Sequence, residues 1–215
     1  MHRRGTAHVE DIKRYDMAVT DLDVGFEDGW YQVDLDEKSG RHWGRSLAEA
    51  LGTDRAARKS LVADLGALRD SIRRSATPGM TAAVWVSAPE TGQVDAFVGF
   101  TLNAIDDADG PDEYRALLEA DDARSEAGVR FLNVQVWESE IDAGRVVGAY
   151  NLIEHQELGE GVKEQKERTV IGVFPPRSKE MVEFVFSAAR LDSFDDIIRD
   201  TMVIVSSMRL ELEAL

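Results

Sequence analysis

Three groups of residues in this chain have the type and spacing to do chemistry. Glu138 and Glu140 stand two apart on a strand-like segment, so both point to one face. Two carboxylates about 5–9 Å apart are the working pair of glycoside hydrolysis. Asp106, Asp107 and Asp109 form an acidic run that could hold a loose cation site or be a solvated turn. His155 lies on a strand-like segment beside Glu154 and Glu157, carboxylates that favour a charged imidazole. Each group falls short of a stricter pattern. An EF-hand loop needs acids at positions one, three and five, glycine at six and Glu at twelve. Gly110 at six sets Ile105 at one and Ala116 at twelve, while Gly29 or Gly40 at six sets Val24 or Leu35 at one.

Phosphate and nucleophile motifs fare no better. Gly159-Glu-Gly161 begins a G-x-G, but Glu164 takes the third glycine's place and the segment leads into a charged strand, so a hairpin turn is expected there. No Walker-type phosphate loop is present, and Gly44-Arg-Ser46 lacks the second glycine of a nucleophile elbow. His2 and His8 lie near the N-terminus, and His42 beside Trp43 suits a helix start. With no cysteine there is no thiolate nucleophile, disulfide or cysteine-type zinc site. We assign no catalytic, cofactor-binding or metal-binding residue from the sequence.

The chain has 215 residues, enough for a sizeable core without staples, and reads as one domain over 1–215. The N-terminus shows no apolar leader and no run is long enough for a membrane helix, so a cytoplasmic protein is expected. A net charge of −16 argues against nucleic acid as a partner. The charge is uneven. Residues 41–76 carry eight Arg/Lys against four acids, a net of +4 that leaves −20 on the remainder. A basic helix neutralising an acidic sheet explains this; so does a helix that binds an acidic partner, with Arg69 and Arg73 as its candidates.

The elements follow from periodicity. A strand is expected over about 12–19, paired as a hairpin with Trp30–Leu35. A basic helical segment covers about 42–75, broken at Gly52-Thr53-Asp54, with Asp54 or Thr53 capping its second part. Leu61, Leu65, Leu68 and Ile72 form its apolar stripe, with Arg58, Arg69 and Arg73 off it. Strands follow over 80–88 and 93–105, linked by Pro89-Glu-Thr-Gly92. An acidic loop and a short helix opened by Pro111 form an insertion over about 106–127. Four strands then run over 129–142, 145–156, 167–174 and 181–190. A helix over about 194–209 closes the chain, capped by Ser193. The class is α+β: an antiparallel sheet of about six to eight strands, with the basic helix and the C-terminal helix packed on it.

That order of elements, ending on Phe194, Ile197-Ile198 and Ser206-Ser207-Met208, resembles the PsbP-like fold, which is shared by photosystem lumenal subunits, Ran-release factors and secretion-associated bacterial proteins. The resemblance spans roughly residues 76–215 in pattern and roughly 176–215 in motif, and the helix after Pro111 is extra to it. Its motif residues are core positions, so no functional residue carries over. It implies a non-enzymatic binder or adaptor.

The leading expectation is therefore a protein-binding adaptor or chaperone-like factor whose partner is a protein, such as a basic segment. A carboxylate-dependent, metal-assisted hydrolase and a structural subunit of a larger assembly are the alternatives. Trp85 and Trp137 lie on the strand faces opposite Val84/Val86 and Val134/Val136. They are either covered by a helix or form an apolar patch with Tyr31 or Tyr150 that would mark a partner site.

Overall fold

The structure, a computed structural model, describes residues 15–105, 110–120, 129–156 and 163–215. In chain order its strands are β1 (Met17–Asp23), β2 (Trp30–Gln32), β3 (Thr81–Trp85), β4 (Ala96–Ala104), β5 (Val129–Ile141), β6 (Gly144–Gln156), β7 (Lys163–Phe174), β8 (Glu180–Ala188) and β9 (Arg209–Ala214). Its α-helices are α1 (Trp43–Ala50), α2 (Arg55–Ser75), α3 (Pro111–Ala120) and α4 (Ile197–Ser206). Strands β2-β3-β4-β8-β7-β6-β5 form one antiparallel sheet in that order, and β1-β9 form a separate ribbon. The α+β architecture expected from the sequence is present.

Both faces of the large sheet are apolar because successive side chains alternate between them. In β7, Ile171 and Val173 point to one side and Val170 and Phe174 to the other, and all four are buried. The first side packs Val98, Phe100, Phe184 and Phe186 against Ile204, Val205 and Met208 at the end of α4. The second side is covered by two separate elements. Helix α2 lays Leu61, Leu65 and Ile72 over Ala82, Val84 and Val86, while α3 lays Leu118 and Tyr114 over Val147, Ala149 and Met181.

Local chemistry sets the breaks. Asp54 caps α2 by accepting from the amides of Ala56 and Ala57, which holds its carboxyl below the usual range. The link after β3 turns on Gly92, at φ +70°, where a Cβ would stand 2.7 Å from the Ala57 carbonyl oxygen. Both features exclude other residues. We expect Gly92→Ala to destabilise the fold by about 1–3 kcal/mol, read as a lower urea midpoint with unchanged slope.

Four expectations are corrected. Strand β1 does not form a hairpin with β2; it pairs with β9 at the far end of the sequence, and β2 pairs with β3. A helix does not close the chain: α4 ends at Ser206, and the alternation of Leu210 and Leu212 with Arg209, Glu211 and Glu213 continues as β9. Ser193 is not the cap of α4; Asp196 is, accepting from the Arg199 amide. The Ser193 hydroxyl instead donates to the Asp95 carbonyl at 2.7 Å. Finally, Arg69 is not off the apolar stripe of α2 but buried beside it.

Candidate functional site

The terminal ribbon has two unlike faces. Register sets Val19 opposite Leu212 and Leu22 opposite Leu210, and Leu22 and Leu210 turn inward onto the α4-side core. A bulge between Val19 and Asp21 keeps the alternation in phase beyond it. The outward face then carries Asp21 directly opposite Glu211, with Glu213 opposite Ala18 and Asp23 opposite Arg209. All of these charged residues are exposed. Like charges set directly across a strand pair repel. A cation, Arg209, also stands on this face, opposite Asp23.

The ribbon is fastened to the main sheet through the turn before β8. Arg177, a non-glycine residue with positive φ (63°), offers its carbonyl to the amides of Asp16 and Met17 at 3.0 and 3.2 Å. Its guanidinium pairs with the Asp16 carboxylate. The Val19 amide donates to the Glu180 carboxylate at 2.7 Å. Beside the ribbon runs a groove of ≈ 690 Å³. Leu210 and Leu212 supply its apolar wall, Ser206 and Ser207 the end of α4, Asp23 and Asp142 its acids, and Arg209 one cation. An acidic ribbon next to a partly apolar groove can hold a cationic, extended ligand.

The residues singled out from the sequence lie elsewhere, and the fold does not bring them together. Trp85 is half-buried between Trp30, at a ring separation of 6.2 Å, and Phe194, at 5.1 Å. Trp137 lies over Gly148 on the α4 side, packed against the core. Tyr31 packs with the α2 cluster. The Tyr150 hydroxyl donates to Glu167 at 2.8 Å, and burial, aided by that carboxylate, pushes its pKa up to about 12. The Arg69 guanidinium donates to the backbone carbonyls of Asp34 and Asp36 at 2.7 and 2.6 Å. Arg73 is exposed one turn further on.

Glu138 and Glu140 share a face, but Glu138 is occupied. Arg115 of α3 and Arg145 of β6 both donate to it, the latter at 2.8 Å. Hydrogen bonds from Arg115 and then Arg145 hold its carboxyl below the usual range. A group with a depressed folded pKa contributes stability above its unfolded pKa and loses it as pH falls through the folded value. Glu138→Gln should therefore leave the neutral-pH melting temperature nearer the acid one, flattening the acid limb of a Tm-against-pH curve. An unchanged acid limb would show that this cluster is not coupled to folding. The Asp106–Asp109 run and the Gly159–Gly161 turn lie outside the described residues, as does the His155 side chain. No group of three or more His, Cys, Asp or Glu positioned to hold a metal occurs among the described residues.

Asp95, unlike Glu138, is a buried anion with a structural role. Asp95, 4% exposed, accepts from the Ser87 amide and hydroxyl and pairs with Arg190 at 2.9 Å, tying β3, β4 and the end of β8 together. Asp95→Ala should destabilise by about 2–4 kcal/mol, since it strands the Ser87 donors. A thermal-melt shift near zero would contradict this.

No family model matches this chain, and no curated protein does. Solved structures do match. One, from Bacteroides thetaiotaomicron, has 8% identity over 92% of this chain at a TM-score of 0.43; the chain spans about half of it, 49%. Another is PsbP from the cyanobacterium Synechocystis, with 11% identity over 96% of this chain and 98% of that one, at a TM-score of 0.42. A PsbP structure, of the family named from the sequence, is thus among the solved structures this chain is similar to. Likenesses at these TM-scores assign no residue and no role. No described helix is long and apolar enough to cross a membrane.

Sequence reasoning missed the ribbon. Glu211 and Glu213 were legible as acids, but only long-range pairing makes them neighbours of Asp21 and Asp23. The one local signal was the strict alternation of 209–214, which reads as a strand once it is not merged with the preceding helix.

Proposed function

We propose that this chain is a non-enzymatic protein-binding adaptor that captures a basic segment of another protein on the acidic face of its β1-β9 ribbon. The observation that carries this reading is the register that sets Asp21 against Glu211, flanked by Asp23 and Glu213. That arrangement raises the energy of the free protein slightly and gives the energy back when a cation lies across the pair. The overall charge of −16 adds long-range attraction for a basic partner and repels anionic ones.

The test is calorimetric titration with a lysine-rich peptide at low and raised salt. Ionic strength shortens the reach of exposed charges from about 30 Å at 0.01 M to about 8 Å at 0.15 M. Affinity should fall at least tenfold over that range. Affinity indifferent to salt would contradict electrostatic capture.

A further inference from the structure

We infer that the captured segment binds as an added β-strand on the free edge of β9, with cationic and apolar residues in alternation. This rests on the adaptor reading above and specifies its geometry. The hydrogen-bond pattern of the ribbon fixes which backbone groups are available. The Leu215 amide donates to the Asp16 carbonyl, so that pair is hydrogen-bonded. Antiparallel pairs alternate, so Ala18–Glu213 is bonded and Val19–Leu212 is not. The Val19 amide confirms the phase, since it donates away from β9, to Glu180. The N–H and C=O of Leu212 therefore point to the opposite edge. Beyond the bulge Asp21 pairs with Glu211, and the same alternation along β9 turns the Leu210 groups outward as well.

Among the described residues, no backbone group pairs with that edge. An unpaired edge is a template for another strand. Side-chain phase then dictates the ligand. Ligand residues opposite Leu210 and Leu212 project toward the groove that these leucines line, and should be apolar. Their neighbours project to the outward face beside Glu211 and Glu213, and should be Lys or Arg. A second copy of this chain is the competing occupant. In-phase antiparallel pairing of β9 with itself sets Glu211 against Glu211 between two Arg209–Glu213 pairs, or Glu211 against Glu213 twice, so each register keeps at least one like-charge pair.

The probe is a capped eight-residue peptide alternating Lys and Val, titrated into the full chain. Three relatives of equal charge separate the possibilities: one with the lysines and valines in two blocks, one N-methylated on its valines, one N-methylated on its lysines. The valine amides face β9, so methylating them should weaken binding roughly tenfold or more, as should the block order, while methylating the lysine amides should be tolerated within about threefold. Amide exchange at Leu210 and Leu212 should slow on binding the parent peptide. If all four peptides bind alike and remain salt-sensitive, strand addition is overturned while electrostatic capture stands. If none binds at low salt, both fail. A salt-resistant dimer of the free chain whose Leu210 and Leu212 amides are already protected would give the edge to a second copy and overturn the inference.

Discussion

Replacing Arg69 with Ala should cost about 3–5 kcal/mol of folding stability, one of the two largest effects expected in this chain. The side chain is only 7% exposed, and its guanidinium holds two carbonyls of the segment between β2 and α1, those of Asp34 and Asp36. Hydrogen bonds from charged donors contribute about 1.5–3 kcal/mol each, and removal leaves both acceptors in a poorly hydrated place. Gly40 shows how closely the segment wraps this group, since a Cβ there would meet the Arg69 fork at 2.2 Å. Asp36 reinforces the same turn by accepting from the amides of Lys38 and Ser39. Arg69→Lys should recover less than half of the loss, because an ammonium cannot span two carbonyls in a plane. Urea unfolding of the three proteins decides the matter. A loss below about 1 kcal/mol for the alanine variant would mean the segment is held by something else.

The second large effect is expected at Phe184. Its ring is fully buried on a central strand, stacked on Phe100 at 5.2 Å and on Phe186 at 6.1 Å. Strand pairing sets Phe100 and Phe184 directly opposite, so the stack bridges β4 and β8, where the two halves of the sheet meet. Phe184→Ala should cost about 3–5 kcal/mol, because close-packed neighbours relax only in part around the cavity. For a chain of this size that corresponds to a fall in Tm of roughly 6–20 °C. Phe97, on the same strand as Phe100 but facing the α2 side and half-buried, should cost distinctly less on truncation. Equal losses at Phe97 and Phe184 would contradict this ranking by burial.

The parts of this fold that were legible are those written in local period. Alternation over 129–156 gave β5 and β6 nearly to the residue, and the Thr53-Asp54 and Pro89–Gly92 runs marked a helix start, where Asp54 is the cap, and a turn. Residues 170–174 are apolar on both alternating sets, Val170 and Phe174 on one and Ile171 and Val173 on the other, which is the pattern of a strand covered on both faces. What escaped was set by contacts distant in sequence. Nothing near Met17 says that its strand partner is Ala214. Nothing in the periodicity of α2 says that Arg69, a charged residue, is buried; two backbone carbonyls from a segment before α1 make that burial affordable. Trp85 was legible as large and apolar, but its aromatic neighbours Trp30 and Phe194 come from opposite ends of the chain. The candidate site suffered most, since a surface made by pairing the two ends has no local signature.

A binding surface built at the expense of folding leaves a characteristic mark: neutralising it strengthens the fold and weakens the function. The most direct measurement is therefore paired. Asp21→Asn with Glu211→Gln in one chain keeps the shape of the ribbon and removes the facing charges. We expect folding stability to rise by about 0.2–1 kcal/mol, and affinity for a lysine-rich peptide at low salt to fall at least tenfold. A variant that is more stable yet binds the peptide as well as the parent would contradict the central claim.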